Sequence, residues 1–345
     1  PDEVVEALKS TMTLPNAHQY QSYKGIPELR AAMSQFYEQK YNVALCPDTE
    51  VLPLMGSKEG ILHISMAFLN KGDKVLIPNP GYPTYASVTK LVEATPVLYD
   101  LTEENDWFPN LETLEKKDLS GVKLMWVNYP HMPTGAVAQE DQFKKLIAFA
   151  RRHDILIIND NPYSFILNGD PQSILSIEGA QGVALELNSL SKTFNMAGWR
   201  IGMVVGDAAL LNAILQVKSN MDSGMFLGVH KGAVKAWRIG KEWFDNQDIV
   251  YKRRRDLVWK IFDALECTYD KATKGLFVWG KLPTGKDSEA FTDRLLYEKD
   301  VFITPGTVFG SNGAGYIRAS LCVDQKELTT VFKRVTNNKI SDNER

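Results

Sequence analysis

The sequence predicts an α/β fold, with a mostly parallel sheet flanked by helices in a large domain and a smaller α+β domain after it. Three observations predict this. Apolar runs at 51–55, 74–77, 122–127, 155–158 and 183–187 lack polar alternation, as strands covered on both faces do. Helical patterns, such as those at 58–69 and 139–152, separate many of these runs. A chain of 345 residues that is 44% hydrophobic also exceeds what one compact core usually serves, so two unequal domains are expected.

Along the chain, residues 26–41 place Leu29, Met33, Phe36 and Tyr37 on one helical face. The strand–helix alternation then runs to about 206. From there to about 265 the pattern is mostly helical, with Ala213, Leu215 and Val217, followed by the run Lys252-Arg-Arg-Arg255, which reads as a solvated helix face. Shorter strand and helix signals follow at 276–279, 288–299, 301–303 and 316–321, and a domain boundary is expected near 230. No internal repeat stands out.

Lys and Arg number 39 against 42 for Asp and Glu, a net charge of −3 that gives no reason to expect nucleic acid or an anionic membrane as partner. Cys46, Cys267 and Cys322 fit neither a disulfide framework nor a zinc ribbon and point to a reducing, cytoplasmic setting. His18, His63, His131, His153 and His230 show no ligand spacing, so no metal is expected. No apolar run approaches the roughly 18 residues a membrane span needs.

In parallel sheets, ligands bind beyond the carboxyl ends of the strands. Three of the runs end in suitable polar residues. The first leads into Asn128 and the turn Pro133-Thr-Gly135, the second into Asn159, Asp160 and Tyr163, and the third into Asn188, Ser189, Ser191 and Lys192. One such ending is usually a helix cap. Three in one sheet suggest a shared site.

The segment Ser189-Leu-Ser-Lys-Thr-Phe-Asn-Met-Ala-Gly-Trp-Arg-Ile-Gly202 is the strongest local signal. An amine set in a mostly uncharged stretch is a candidate nucleophile. Arg200 offers a bidentate fork for a phosphate, and Gly198 and Gly202 permit close backbone approach. Gly56-Ser-Lys-Glu-Gly60, between strand and helix, suits an anion through its N–H groups.

These segments, with Asn79-Pro-Gly-Tyr-Pro-Thr-Tyr85 and Tyr316-Ile-Arg-Ala-Ser320, resemble the class I/II aminotransferases, the fold-type I pyridoxal 5'-phosphate (PLP) enzymes. The resemblance covers nearly the whole chain and looks most like the LL-diaminopimelate/aspartate branch. It implies that Lys192 holds PLP covalently, that Ser189 and Arg200 contact its phosphate, and that Ser57 and Lys58 belong to the phosphate cup. Tyr82 would lie against the pyridine ring, Asp160 would face the ring nitrogen, and Tyr163 would meet the ring oxygen with Asn128 nearby. Tyr20 matches a tyrosine that reaches the phosphate of a neighbouring subunit, which implies a homodimer with shared active sites. Arg318 matches the arginine that clamps the substrate α-carboxylate, and Ser223 is a further candidate contact.

Two departures stand out. The family turn usually carries asparagine just before Pro-Thr-Gly, where Met132 stands here without a donor; Tyr163 alone, or His131 swinging in, is expected to serve the ring oxygen instead. Family members usually have a further segment before the helix that residues 1–3 begin. Accordingly 1–18 is expected to be an N-terminal piece of the small domain lacking its upstream arm, 19–230 the large PLP-binding domain, and 231–345 the small domain joined through a long helix.

The implied reaction is ping-pong transfer of an amino group from an L-amino acid to a 2-oxo acid, with Lys192 as general base. The same residues serve β-lyases of the C–S lyase type and aminocyclopropane-carboxylate synthases, which differ in the fate of the carbanion. A PLP-sensing regulatory module is the remaining alternative, but nothing here supplies its winged-helix domain.

Overall fold

The computed structural model describes residues 1–337. Its elements run α1 (Asp2–Thr11), α2 (Pro27–Tyr41), β1 (Val51–Leu54), α3 (Ser57–Phe68), β2 (Lys74–Asn79), α4 (Pro83–Leu91), β3 (Thr95–Asp100), α5 (Leu111–Glu115), β4 (Val122–Val127), α6 (Glu140–His153) and β5 (Leu156–Asp160). There follow β6 (Ala184–Ser189), α7 (Leu190–Thr193), β7 (Gly202–Gly206), α8 (Ala208–Lys218), α9 (Leu227–Trp237) and α10 (Lys241–Ala264). The chain then forms β8 (Thr268–Tyr269), β9 (Phe277–Lys281), α11 (Ser288–Lys299), β10 (Thr304–Pro305), β11 (Tyr316–Ser320) and α12 (Gln325–Thr336).

The large sheet has the order β1-β7-β6-β5-β4-β2-β3. Its central pairs are parallel, and β7 alone runs against both neighbours. Alternate strand residues face two apolar layers, as a sheet covered on both sides requires. Val75, Ile77, Leu124 and Trp126 pack towards α3, α4 and α8. Leu76, Met125, Val127 and Ile157 pack towards α6. The helical face read at 26–41 forms as expected: Leu29, Met33, Phe36 and Tyr37 are all buried, with Val4 of α1 and Trp237 of α9 in the same cluster.

The second sheet, β10-β11-β9-β8, is antiparallel throughout. It shares a core with α10, α11 and α12 built on Val258, Phe262, Val278, Leu295 and Ile317. Three strands went unread in the sequence, the two-residue β8 among them. β3 is a half-exposed edge strand interrupted by Pro96, and β7 is a short run whose two glycines look like a loop. The expected signal at 301–303 sits just ahead of the two-residue β10. Among the described residues, no helix is long and apolar enough to cross a membrane.

Candidate active site

A cavity of about 350 Å³ opens at the carboxyl ends of the central strands, a size typical of small-ligand sites. Its walls include Ser57, Lys58, Tyr82, Asn128, Asp160, Tyr163, Ser189, Lys192, Arg200 and Arg318, which come from six separate stretches of sequence. Tyr20 and Ser223 are not among its lining residues, and Tyr20 is 90% exposed.

Lys192 owes its direction to α7. Leu190 and Phe194, four residues apart, are both fully buried and anchor one face of this single turn. Ser191 and Lys192 are therefore left towards the cavity, where Lys192 is half-buried. Trp243 of α10 donates from Nε1 to the Thr193 carbonyl and ties the turn down (3.1 Å).

At the far end lies a candidate anion cradle. α3 starts at Gly56 (φ 90°) with no side-chain cap, so its first N–H groups have no capping acceptor. Glu59 reaches back past them to accept from the Met55 N–H (2.6 Å). The guanidinium of Arg200 occupies the space that a Cβ at Gly56 would need. Arg200 itself adopts φ 53°, a costly conformation for a non-glycine residue, and donates from Nη1 to the Ala197 carbonyl (2.8 Å). A Cβ at Gly202 would lie 2.8 Å from the Ser57 nitrogen, so only glycine lets β7 approach the cradle this closely.

Between these ends sits Asp160, the last residue of β5. Its neighbour Asn159 points the other way, donating to Glu186 Oε2 (2.9 Å), so the pleat sends Asp160 towards the cavity. Burial lifts the Asp160 carboxyl to about 6, partly offset by a hydrogen bond from the Tyr85 hydroxyl to Oδ2 (2.9 Å). Oδ1 is buried and finds no partner among the described residues. The Asn128 amide donates to the Asp160 carbonyl and accepts from the Met132 N–H (2.8 Å), so it secures the turn as well as lining the cavity.

Arg318 on β11 faces the same space, with no acidic partner among the described residues. Its guanidinium lies 4.1 Å from the Phe277 ring centre and 4.5 Å from that of Phe309, and Nη1 is 3.3 Å from Met132 Sδ. Its Nε is buried and unpartnered among the described residues. Such a cation, held between aromatic faces, is free to take a carboxylate.

His131 does not line the cavity. Its Nδ1 pairs with Thr134 Oγ1 (2.8 Å), and burial pushes its pKa down to about 3. In this structure the ring is turned to Thr134 and contributes no wall to the cavity beside Met132. Sequence reasoning also missed Tyr85 and Phe277, for which a single chain offers no signal beyond an aromatic near a motif. Elsewhere the fold gathers Glu59, His63 and Asp222, but the buried Lys218 ammonium already binds both Asp222 oxygens (2.7 and 2.9 Å).

A mostly parallel sheet with a lysine, a buried carboxylate and an arginine beside an uncapped helix start at its strand ends defines an α/β protein with a polar small-ligand site there. The comparisons with known proteins make the class specific. The family model for aminotransferase class I and II matches residues 1–335, and the chain belongs to that family. LL-diaminopimelate aminotransferase of Oleidesulfovibrio alaskensis is 41% identical, with 98% of this chain and 88% of that protein covered. The enzyme of the same name from Aquifex aeolicus is 38% identical, with 99% and 88% covered. Among solved structures, apo-BacF from Bacillus subtilis superposes with a TM-score of 0.94 at 36% identity, covering 98% of this chain and 86% of that one. An aminotransferase from Staphylococcus aureus gives a TM-score of 0.92 at 31% identity, covering 98% and 90%. The protein is thus a PLP-dependent aminotransferase. The residues present suit PLP: Asp160 Oδ1 is an unpaired acceptor for a ring N–H, and the Gly56–Arg200 cradle suits a phosphate.

Proposed function

We propose that this aminotransferase moves an amino group from an L-amino acid to a 2-oxo acid in a ping-pong cycle run by the cavity residues, with LL-diaminopimelate as the first amino donor to test. The observation that carries the reading is the convergence in one cavity of Lys192, the Arg200 cradle, Asp160 with its Oδ1 unpartnered among the described residues, and Arg318 with its Nε likewise unpartnered. The diaminopimelate suggestion draws on the names of the relatives.

When bound, PLP supplies an electron sink for charge developing at the substrate Cα. Lys192 is the covalent anchor and the general base that holds and moves the Cα proton. Asp160 keeps the ring nitrogen protonated through Oδ1. Tyr163 would serve the ring oxygen, Tyr82 would lie against the ring, Asn128 secures the adjacent turn, and Ser189 would join the phosphate contacts. Arg200, Ser57, Lys58 and the α3 N-terminus take the phosphate. Arg318 orients the substrate by its α-carboxylate, and the apolar side chains of Met132 and Phe277 beside it keep water from the pair.

A cytoplasmic homodimer is part of the proposal, as is a large domain over 19–230 with a small one after it. The exposure of Tyr20 away from its own cavity supports a role at the partner's phosphate. The test is a panel of amino donors, LL-diaminopimelate included, followed by the absorbance change of the bound cofactor and by product analysis. Conversion of donor to its 2-oxo acid supports the reading. Release of pyruvate by elimination, or no conversion of any donor, overturns it.

A further inference from the structure

Among the described residues, the one hydrogen-bond partner of the Asp160 carboxylate is Tyr85, to which the sequence gives no role. Tyr85 lies in the first turn of α4 and is fully buried. Its ring stacks on the Trp126 indole, with centres 5.0 Å apart and planes 6° from parallel. Tyr82 meets it edge-on at 5.6 Å and 88°. Packed on these two rings, the phenol has one direction to point, and its oxygen lies 2.9 Å from Asp160 Oδ2. Burial and the adjacent carboxylate raise the Tyr85 hydroxyl well above the usual phenol range, so it remains a neutral donor.

We propose that Tyr85 is a positioning residue for transamination: by occupying Oδ2 it leaves Oδ1 as the one oxygen Asp160 offers the cofactor ring and locks the carboxylate's rotation for that contact. The inference rests on reading the cavity as the PLP site. The terminal torsion of an aspartate is broad and roughly two-fold, so an unheld carboxylate can exchange its oxygens and tilt out of line. A donor on one oxygen removes that freedom and favours the anion, the form a protonated ring nitrogen needs. Trp126, through the stack, fixes the donor in turn.

The test compares wild type, Tyr85→Phe and Tyr85→Leu as purified apo-proteins. Binding of PLP, and of a PLP analogue with C–H in place of the ring nitrogen, is measured by quenching of tryptophan fluorescence; kcat and KM are then measured on the reconstituted enzymes. Tyr85→Phe keeps the ring on Trp126 and removes only the hydroxyl. It is expected to lose roughly tenfold in PLP affinity, as removal of a hydrogen bond to a charged group does, and nothing for the analogue. Its kcat should fall with KM for the amino donor unchanged. Tyr85→Leu removes the stacked ring as well, so it should lose affinity for both compounds. Equal affinities in Tyr85→Phe and wild type, or an equal loss for both compounds in Tyr85→Phe, would overturn this inference alone. Wild-type protein that bound neither compound would overturn the cofactor-site reading and this inference with it.

Discussion

Replacing Asp160 with asparagine should make the apo-protein more stable while destroying its activity. Burial raises the Asp160 carboxyl from 3.8 to about 6. At 1.36 kcal/mol per pKa unit, a shift of about 2 units corresponds to about 3 kcal/mol. Because the folded-state value lies above the unfolded one, the native state binds more protons between about pH 4 and 6. Stability contributed at this site is therefore full below the unfolded value and falls as pH rises across that window. Asparagine has no charge to bury, and its amide oxygen can still accept from Tyr85. Apo Asp160→Asn is expected to gain about 3 kcal/mol over wild type at pH 8, with the gain shrinking towards zero near pH 4. Urea unfolding of both proteins from pH 4 to 8 measures this difference directly. A gain independent of pH, or a variant weaker than wild type at pH 8, would refute the reasoning. Added PLP should reverse the order, since it stabilises most the protein that binds it best.

Other substitutions probe the remaining parts. Lys192→Ala should leave protein mixed with PLP without the colour of the bound cofactor and cut turnover by at least about a thousandfold, the scale of a lost general base. Arg318→Gln should lower kcat/KM for amino donors on the order of a hundredfold, from the loss of charged hydrogen bonds to carboxylate, with PLP affinity unchanged by fluorescence titration. Glu186 is fully buried and accepts from Tyr37, Asn159, Ser173 and the Ile174 N–H. Glu186→Leu strands those donors and should cost about 3 kcal/mol or more in thermal unfolding, with Glu186→Gln milder. Met132→Asn should lower the spectroscopic pKa of the bound cofactor by about one unit, the worth of one added hydrogen bond, whereas His131→Ala should leave it unmoved.

The sequence made the central strands legible because each is covered on both faces and so reads as an unbroken apolar run. It also pointed to the candidate site, because Asn128, Ser189 and Lys192 stand at or just past the carboxyl ends of those runs, where polar groups need a reason to be. β3 stayed hidden because an edge strand needs no continuous apolar character, and β7 because Gly202 serves the cradle and not strand propensity. Tyr85 and Phe277 were out of reach for a different reason. Their partners, Asp160 and Arg318, lie 75 and 41 positions away, and nothing local announces a contact across such distances. His131 looked available by its proximity to Met132, yet its ring turns to Thr134.

The cradle joins residues 56–58 to residue 200 across the join between β1 and β7, the two strands furthest from the other edge of the sheet. An anion seated there would act as a removable rivet between stretches of chain more than a hundred positions apart, closing a long loop without a covalent bond. Loss of the cofactor should then loosen this edge of the barrel-less sheet first, so that protease cleavage in the apo-protein begins around 195–201 while the α6 side stays intact.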